Sequence, residues 1–460
     1  MVNTFAKTVL LCLELGDTAR AFDLAERSRA RALLDALGAG GAAIPRDFER
    51  RPLTLRAIQS RLPADTVVLA YFNTGLTELH ERARPSSLPP RHRFAPEHVL
   101  LFAVTAGGVE AHVLAGVSPN SLRPGDIRAG VEHHVISPEL RARLYEHLVA
   151  PAAHLLRGRR TVAIVPHGPL HYVPFHALLA PDGEPLLRED GPDIVYSPSC
   201  TLLVRGARAQ RRAPEPCLAV GYNGQAGDRL RYAEDEARLV ARLCGGAALD
   251  GPTPKKHLLL ATAHRYGLIH FCCHGTFNEG LPLSSALHIA PGEALSAREV
   301  LDSLHLRCDL ATLSACETGL SRVASGDELY GLARAFLTAG APAILCPLWR
   351  VDDQSTRLLM EQFYRAALGG TPFAEALRRA QLFLRRLTRA EAEALLGERL
   401  GELARATGAV LGREVVIVDS STDERPFADP YYWAPFILIG RDGTLGRSGP
   451  PHAGRTAERS

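Results

Sequence analysis

The spacing of apolar residues changes along the chain, and the changes predict where elements lie. Residues 4–37 keep a helical rhythm that breaks at Gly16-Asp17: Phe5, Val9, Leu10, Leu13 and Leu15 mark a first helix, and Ala21, Ala25, Ala32, Leu33, Ala36 and Leu37 a second. Gly-Asp followed by Ala21 and Ala25 has the look of one tetratricopeptide unit, and no second unit is found. One unit cannot stack into a solenoid, so the pair is expected to cap the next domain as a helical hairpin. A helix at 54–62 and a strand at 66–72 follow, then a Pro-, Ser-, Arg- and His-rich loop at 79–97. HVLLFAV and GVEAHVL, joined through Gly107-Gly108, predict a β-hairpin, and a helix is expected near 138–153.

From residue 161 the texture becomes alternating α and β. Short apolar runs predict strands at 161–166, 217–222, 268–273, 286–290, 309–314, 342–347 and within 433–440. Between them fall helices at 235–244, 255–265, 296–303, 327–339 and 355–368, with a further pair near 371–386 and 388–408. Continuous Val, Ile, Leu and Cys runs are what a sheet covered by helices on both faces requires, so the fold class is α/β. The Gly-, Arg-, Pro- and Ser-rich tail, 441–460, is expected to be disordered.

Composition narrows the setting. With 460 residues, 46% hydrophobic and 22% charged, the chain can bury a core of two or three domains. No segment approaches eighteen uninterrupted apolar residues, so no membrane span is expected. The apolar start is interrupted at Glu14 and Asp17 and continues as an amphipathic helix, unlike an export signal. The nine cysteines form no CxxC pair and sit mostly in apolar runs, which predicts free thiols and a cytoplasmic location. The net charge of +3 is diffuse, and the basic runs at 155–161 and 205–214 lack interleaved aromatics; solvated loops, not nucleic-acid binding, are expected.

Two strand ends carry chemistry. LIHFCC leads into His274-Gly275, and DLATLSA leads into Cys316-Glu317-Thr318-Gly319. Ligands collect outside the carboxyl ends of strands in open α/β sheets, and neighbouring strands would bring these tips together. A thiol becomes a strong nucleophile beside a base or an imidazolium, so His274 reads as general base and Cys316 as nucleophile. Cysteine is also a common buried small hydrophobe; the pairing with a strand-end His-Gly favours chemistry for Cys316. The backbone N–H groups of Gly275 and Cys316 are candidate oxyanion donors. No third residue that orients the imidazole is evident. There is no HExxH, close Cys/His ligand cluster, phosphate loop or GxSxG elbow, so no metal and no cofactor are expected.

Four segments, HFCCHGTF (270–277), LATLSACETGL (310–320), SGDELYGLARAFLTAGAPAILCPLWRVDDQST (325–356) and LLMEQFYRAALGGTPFAEALRRAQ (358–381), resemble the CHAT family. These are caspase-like domains often associated with tetratricopeptide repeats and related to separase and the caspases. Weaker likeness at 165–179, 194–203 and 429–440 extends the match over about 160–440. The resemblance implies a caspase-haemoglobinase sheet and a cysteine endopeptidase whose His-Cys dyad falls on His274 and Cys316. It implies a helical segment at 1–60, a smaller companion subdomain at 61–250 without a dyad, and a catalytic subdomain at 251–440. His167, His171 and His176 would then be structural or peptide-contacting.

Many relatives cut after basic residues, which brings Glu317, Asp327, Glu328, Asp352 and Asp353 forward as pocket acids. Asp327, Asp352 and Asp353 also suit helix starts, and Trp349 either lines the pocket or packs on the sheet. The implied partners are a protein or peptide substrate and an activating or sensor protein. A caspase-like scaffold that binds partners without cleaving them is the alternative.

Overall fold

The computed structural model describes residues 2–39, 52–74, 95–117, 137–205, 215–225, 229–276, 278, 281–316, 331–397 and 424–445. Two helices open the chain, α1 (Val2–Glu14) and α2 (Thr18–Ala39), hinged at Gly16, whose φ of 76° is one that glycine adopts without strain. Phe22 of α2 meets Phe102 edge to face, with ring centroids 5.7 Å apart. The buried Glu26 carboxylate accepts from the backbone N–H groups of Thr201 (2.7 Å) and Cys200 (3.3 Å), which start a short helix at Cys200–Val204. The hairpin is therefore fastened to the domain by a helix cap as well as by apolar contact.

One 13-stranded sheet runs through the molecule. Its strands are β1 (Thr66–Asn73), β2 (Val99–Thr105), β3 (Gly108–Leu114), β4 (Thr161–Val165), β5 (Asp193–Tyr196), β6 (Glu215–Gly221) and β7 (Ala247–Leu249). They continue as β8 (Tyr266–Thr276), β9 (Ala286–Ala290), β10 (Glu293–Ser296), β11 (Leu310–Cys316), β12 (Ala343–Pro347) and β13 (Phe436–Gly440). The order across the sheet is β10-β9-β8-β11-β12-β13-β5-β4-β1-β2-β3, with β6 also paired to β8 and β7 to β6.

Strand directions divide the sheet. β1, β4, β5 and β13 are mutually parallel, and so are β12, β11, β8, β6 and β7. The two sets meet at the antiparallel β12–β13 pair, Ala343↔Gly440 to Pro347↔Phe436. Their carboxyl ends therefore lie on opposite edges. His274, Cys316 and the turn after β12 share one edge, and His167, which follows β4, lies at the other.

Helices cover both faces of the second set. The helices α3 (Ala233–Cys244) and α4 (Asp353–Leu368) lie on one face, where His270 of β8 meets Tyr364 of α4. A helix at Gly331–Thr338 covers the other, where Phe271 meets Phe336 edge to face at 5.5 Å. Close seating of α3 depends on Gly221: a Cβ there would stand 2.7 Å from the Cβ of Ala237. Between α3 and α4 the buried guanidinium of Arg357 donates to Asp235 (2.5 Å) and reaches Glu361 (3.5 Å), an ion pair held off the surface.

The sequence expectations hold for most elements, with four differences. β8 runs three residues past its predicted end because β9 pairs antiparallel with His274, Gly275 and Thr276. β5, β7 and β10, four, three and four residues long, are too short to show a periodic pattern. The hairpin turn is Ala106-Gly107, with Gly108 already paired to Thr105. The helix expected over 138–153 stops at Leu148 and continues as a 3-10 turn at Ala150–Ala152, where Pro151 removes a backbone donor.

Residues 79–94 of the expected loop, the segment 317–330, all of 398–423 and the tail beyond 445 fall outside the described residues. At the start of that tail, Gly443 O and Asp442 Oδ1 accept from Phe373 N (2.8 Å) and Ala374 N (3.0 Å), capping the helix α5 (Phe373–Arg386). No helix among the described residues is long and apolar enough to cross a membrane.

His176, which follows β4, is tied to the segment leading into β13 and to α5: its Nε2 lies 3.0 Å from Ala434 O and 3.4 Å from Gln381. Burial holds its pKa down at about 4. The unfolded chain takes up this proton near pH 6.5, whereas the folded chain resists until about pH 4. The stability it contributes is complete above pH 6.5 and is lost as pH falls toward 4. Urea unfolding at pH 7 and pH 4 should show wild type losing about 3 kcal/mol more than His176→Gln over that interval; equal losses would refute the assignment. Arg357→Met should lower stability by about 3–5 kcal/mol, because it takes the guanidinium from the buried Asp235 carboxylate, whereas Glu361 keeps Arg365 (2.8 Å). A urea midpoint unchanged from wild type would show that the pair carries no net weight.

Candidate active site

β8 and β11 run parallel in register, from Leu268↔Leu310 through His270↔Thr312 and Cys272↔Ser314 to His274↔Cys316. The sequence candidates His274 and Cys316 are thus direct neighbours across two strand ends. Both lie inside their strands, Cys316 as the last residue of β11, and not beyond them as the apolar runs suggested. The polar Cys-His-Gly-Thr ending of β8 is still strand because β9 supplies its pairing partners. His274 is half-buried, and Gly275 is buried opposite Leu287.

The same register brings up a residue that sequence reading passed over. His288 of β9 stands opposite His274, so Cys316, His274 and His288 form a row across three neighbouring strands. The His288 Nε2 lies 3.1 Å from Thr276 Oγ1. In the run ALHIA nothing marks this histidine; only the hairpin pairing does.

The other candidates separate. Glu317, Asp327 and Glu328 lie outside the described residues. Trp349 follows β12 on the edge that holds His274, but its indole is buried and donates through Nε1 to Tyr431 O (3.1 Å). Asp352 caps α4 by accepting from Ser355 N (2.8 Å), and burial pushes its carboxyl above the ordinary value. Asp353, half-buried, accepts from Arg231 N at 2.6 Å. His167 accepts from Asn73 N through Nδ1 (3.0 Å) and stacks on Phe72, with centroids 5.1 Å apart. Its edge of the sheet is the one away from His274.

Beneath the strand tips lies a polar layer buried between β8, β11, α3 and α4. His270 Nε2 lies 3.0 Å from Glu236 Oε1, and Nδ1 lies 3.1 Å from the Tyr364 hydroxyl, which is 2.7 Å from Thr312 Oγ1. Cys272 is on the same face of β8, two residues from both His270 and His274. Burial raises its thiol pKa well above the usual value, and Glu236 adds to the rise. Ser314 Oγ is buried and meets no hydrogen-bond geometry, but it lies against the Cys272 thiol and favours its charged form. Glu236, His270 and Cys272 offer one carboxylate oxygen, one imidazole nitrogen and one sulfur, all within 4.8 Å of one another. These are donors of the kind that hold a metal ion. Sequence reading missed the group because Glu236 comes from a helix that looks merely acidic in its first turn.

Several of the remaining thiols are held in the neutral form by burial. Cys12, Cys200, Cys217, Cys244, Cys272, Cys273, Cys308 and Cys346 are unbridged. Burial raises the pKa of Cys308 and Cys346 to about 12, and that of Cys200 well above normal.

Comparison with known proteins bears on the family and the fold. A family model described as the CHAT domain matches residues 138–441. The chain is 26% identical over 368 residues to Tetratricopeptide repeat protein 28 of Homo sapiens, covering 67% of this chain and 13% of that protein. It is 25% identical over 381 residues to the Mus musculus protein of that name, covering 68% and 14%. The chain thus spans only about an eighth of the length of these relatives. Among solved structures, a chain of the Saccharomyces cerevisiae separase–securin complex superposes with a TM-score of 0.52 at 11% identity, covering 93% of this chain and 34% of that one. This last likeness is one of fold. With the family matched over well more than half its length, the chain belongs to the CHAT domain family and has a caspase-haemoglobinase-like α/β fold with an N-terminal helical segment.

Proposed function

We propose that the chain is a cysteine endopeptidase in which Cys316 is the nucleophile and His274 the base. The observation that carries this reading is the in-register pairing of Cys316 with His274 at the ends of parallel strands. Parallel neighbours stand about 4.8 Å apart, a spacing from which a thiol and an imidazole on one face reach hydrogen-bond distance. Burial holds the Cys308 and Cys346 thiols neutral, whereas a strand-end cysteine beside a half-buried histidine is suited to attack.

In this mechanism His274 takes the thiol proton and the Cys316 thiolate attacks the scissile carbonyl. Backbone N–H groups at Gly275 and Cys316 stabilise the oxyanion. The imidazolium then protonates the leaving amine, and water activated by His274 hydrolyses the acyl-enzyme. His288, next in the row, is placed to meet substrate or to polarise His274. For specificity, Glu317, Asp327 and Asp353 are the proposed pocket charges, and Trp349 a proposed pocket residue.

The proposed division between the companion and catalytic subdomains falls between β5 and β6, earlier than the expected 250, because β6 and β7 pair with the β8 side of the sheet. The protein substrate and an activating partner are part of the proposal, as is a cytoplasmic setting. The hairpin α1–α2, fastened through Glu26, is the element through which a partner would act on the companion half.

The test is to incubate wild type, Cys316→Ala and His274→Ala with a denatured proteome and map new N-termini by mass spectrometry. Wild type should generate termini that both variants lack, with a fall of at least about 10³-fold in rate on removing either dyad member. Equal cleavage by all three would refute the assignment. No cleavage by any, with selective capture of partner proteins by the folded chain, would favour a binding scaffold instead.

A further inference from the structure

We propose that Glu236, His270 and Cys272 form a binding site for one zinc-class divalent cation, beneath the proposed dyad and separate from it. Their donor atoms lie within 4.8 Å of one another, and all three residues are buried. A tetrahedral zinc ion spaces its ligand atoms about 3.3–3.7 Å apart, so the group closes on the ion by side-chain movements of about 1 Å. Carboxylate, imidazole and thiolate together suit zinc or cobalt(II) over magnesium or calcium, which take oxygen donors.

Two further features point to a cation. The first is Ser314 Oγ, buried, without a hydrogen-bond partner and set against Cys272, where it or a water supplies a fourth donor. The second is how His270 is held. Binding through Nε2 requires the ring proton on Nδ1, and Tyr364 can accept it if its hydroxyl donates onward to Thr312. The Tyr364–Thr312 contact works with either oxygen as donor, so the chain reverses without moving a heavy atom. Such a partner on the second imidazole nitrogen is the usual support of a metal-bound histidine.

Charge also balances. A divalent ion binding one carboxylate and one thiolate leaves a neutral buried centre, whereas the carboxylate and thiolate alone would leave two unopposed charges in a dry interior. On binding, the Cys272 thiol proton goes to solvent and the His270 ring proton relocates from Nε2 to Nδ1, which leaves the imidazole neutral. Entry is from the strand tips, since Cys272 is two residues from the half-exposed His274 on the same face of β8. The bound ion would tie α3, through Glu236, to the strand that carries His274.

The test uses cobalt(II) chloride with the full chain carrying Cys316→Ala, which removes the dyad thiol and makes the readout independent of cleavage. Chelator-treated protein should bind one equivalent of cobalt(II), with the near-ultraviolet thiolate charge-transfer band and visible bands of a tetrahedral ion. Zinc should displace it and raise the Tm. Cys272→Ser should abolish the charge-transfer band, and Tyr364→Phe should weaken binding by about 10–100-fold. Should Cys272→Ser fail to fold, Glu236→Gln with native circular dichroism and lost cobalt affinity serves in its place. Absence of a thiolate band in Cys316→Ala, or an equal band in Cys272→Ser or Glu236→Gln, overturns the site. None of these outcomes bears on whether the chain cleaves peptides.

Discussion

Everything proposed for the active edge depends on the register between β8 and β11, and apolar patterning alone does not fix it. Both strands are buried on both faces, so a one-residue slip would exchange one apolar face for another, without the exposure that pins register in a half-buried sheet. The polar layer removes that freedom. His270 and Thr312 are register partners, and the Tyr364 hydroxyl reaches both, while His270 turns its other nitrogen to Glu236. A slip of either strand would leave several of these groups buried and unpaired, each at a cost of about 1–3 kcal/mol. The layer therefore keys the strands together, and four residues further along the same ladder sets Cys316 against His274.

The second constraint is the antiparallel seam between β12 and β13. It turns the two parallel sets of strands head to tail within one sheet, so the crevice at one set's carboxyl ends is on the far edge from the other's. Histidines beyond β4 therefore cannot reach the edge that holds His274 however similar their local sequence is. His176 shows what they do: it is buried, held neutral and bonded to the backbone leading into β13. It holds the segment after β4 against the one that leads into β13, within a single set.

What was legible in the sequence follows from how each element is stabilised. Continuous runs such as LIHFCC and DLATLS announced β8 and β11, and the His-Gly and Ala-Cys endings announced candidate chemistry. Strands held mainly by pairing were not legible: β5, β7 and β10 are four residues or fewer. The last turn of β8 is polar, and it is strand only because the β9 hairpin folds back on it, which also brings His288 opposite His274. Glu236 was hidden in a different way. Glu234, Asp235 and Glu236 look like ordinary acids at a helix start, yet Asp235 meets Arg357 and Glu236 meets His270. A signal was present, because Glu236 falls three and four residues before Leu239 and Val240, on the helix's apolar stripe.

Two adjacent carboxylates on one short helix thus enter the interior, each matched to a different partner. Stability does not explain that choice, since well-packed apolar replacements of buried ionic groups are often neutral or stabilising. Polar partners differ from apolar ones in directionality. Asp235 fixes α3 against α4 through one guanidinium nitrogen, and Glu236 fixes α3 against β8 through one imidazole nitrogen. Tyr364, on α4, closes the circuit back to β8 and β11. Two helices and two strands are thereby held in one relative orientation. That is the rigidity a nucleophile and a base on separate strands require, because neither strand alone determines where the other's terminal residue stands.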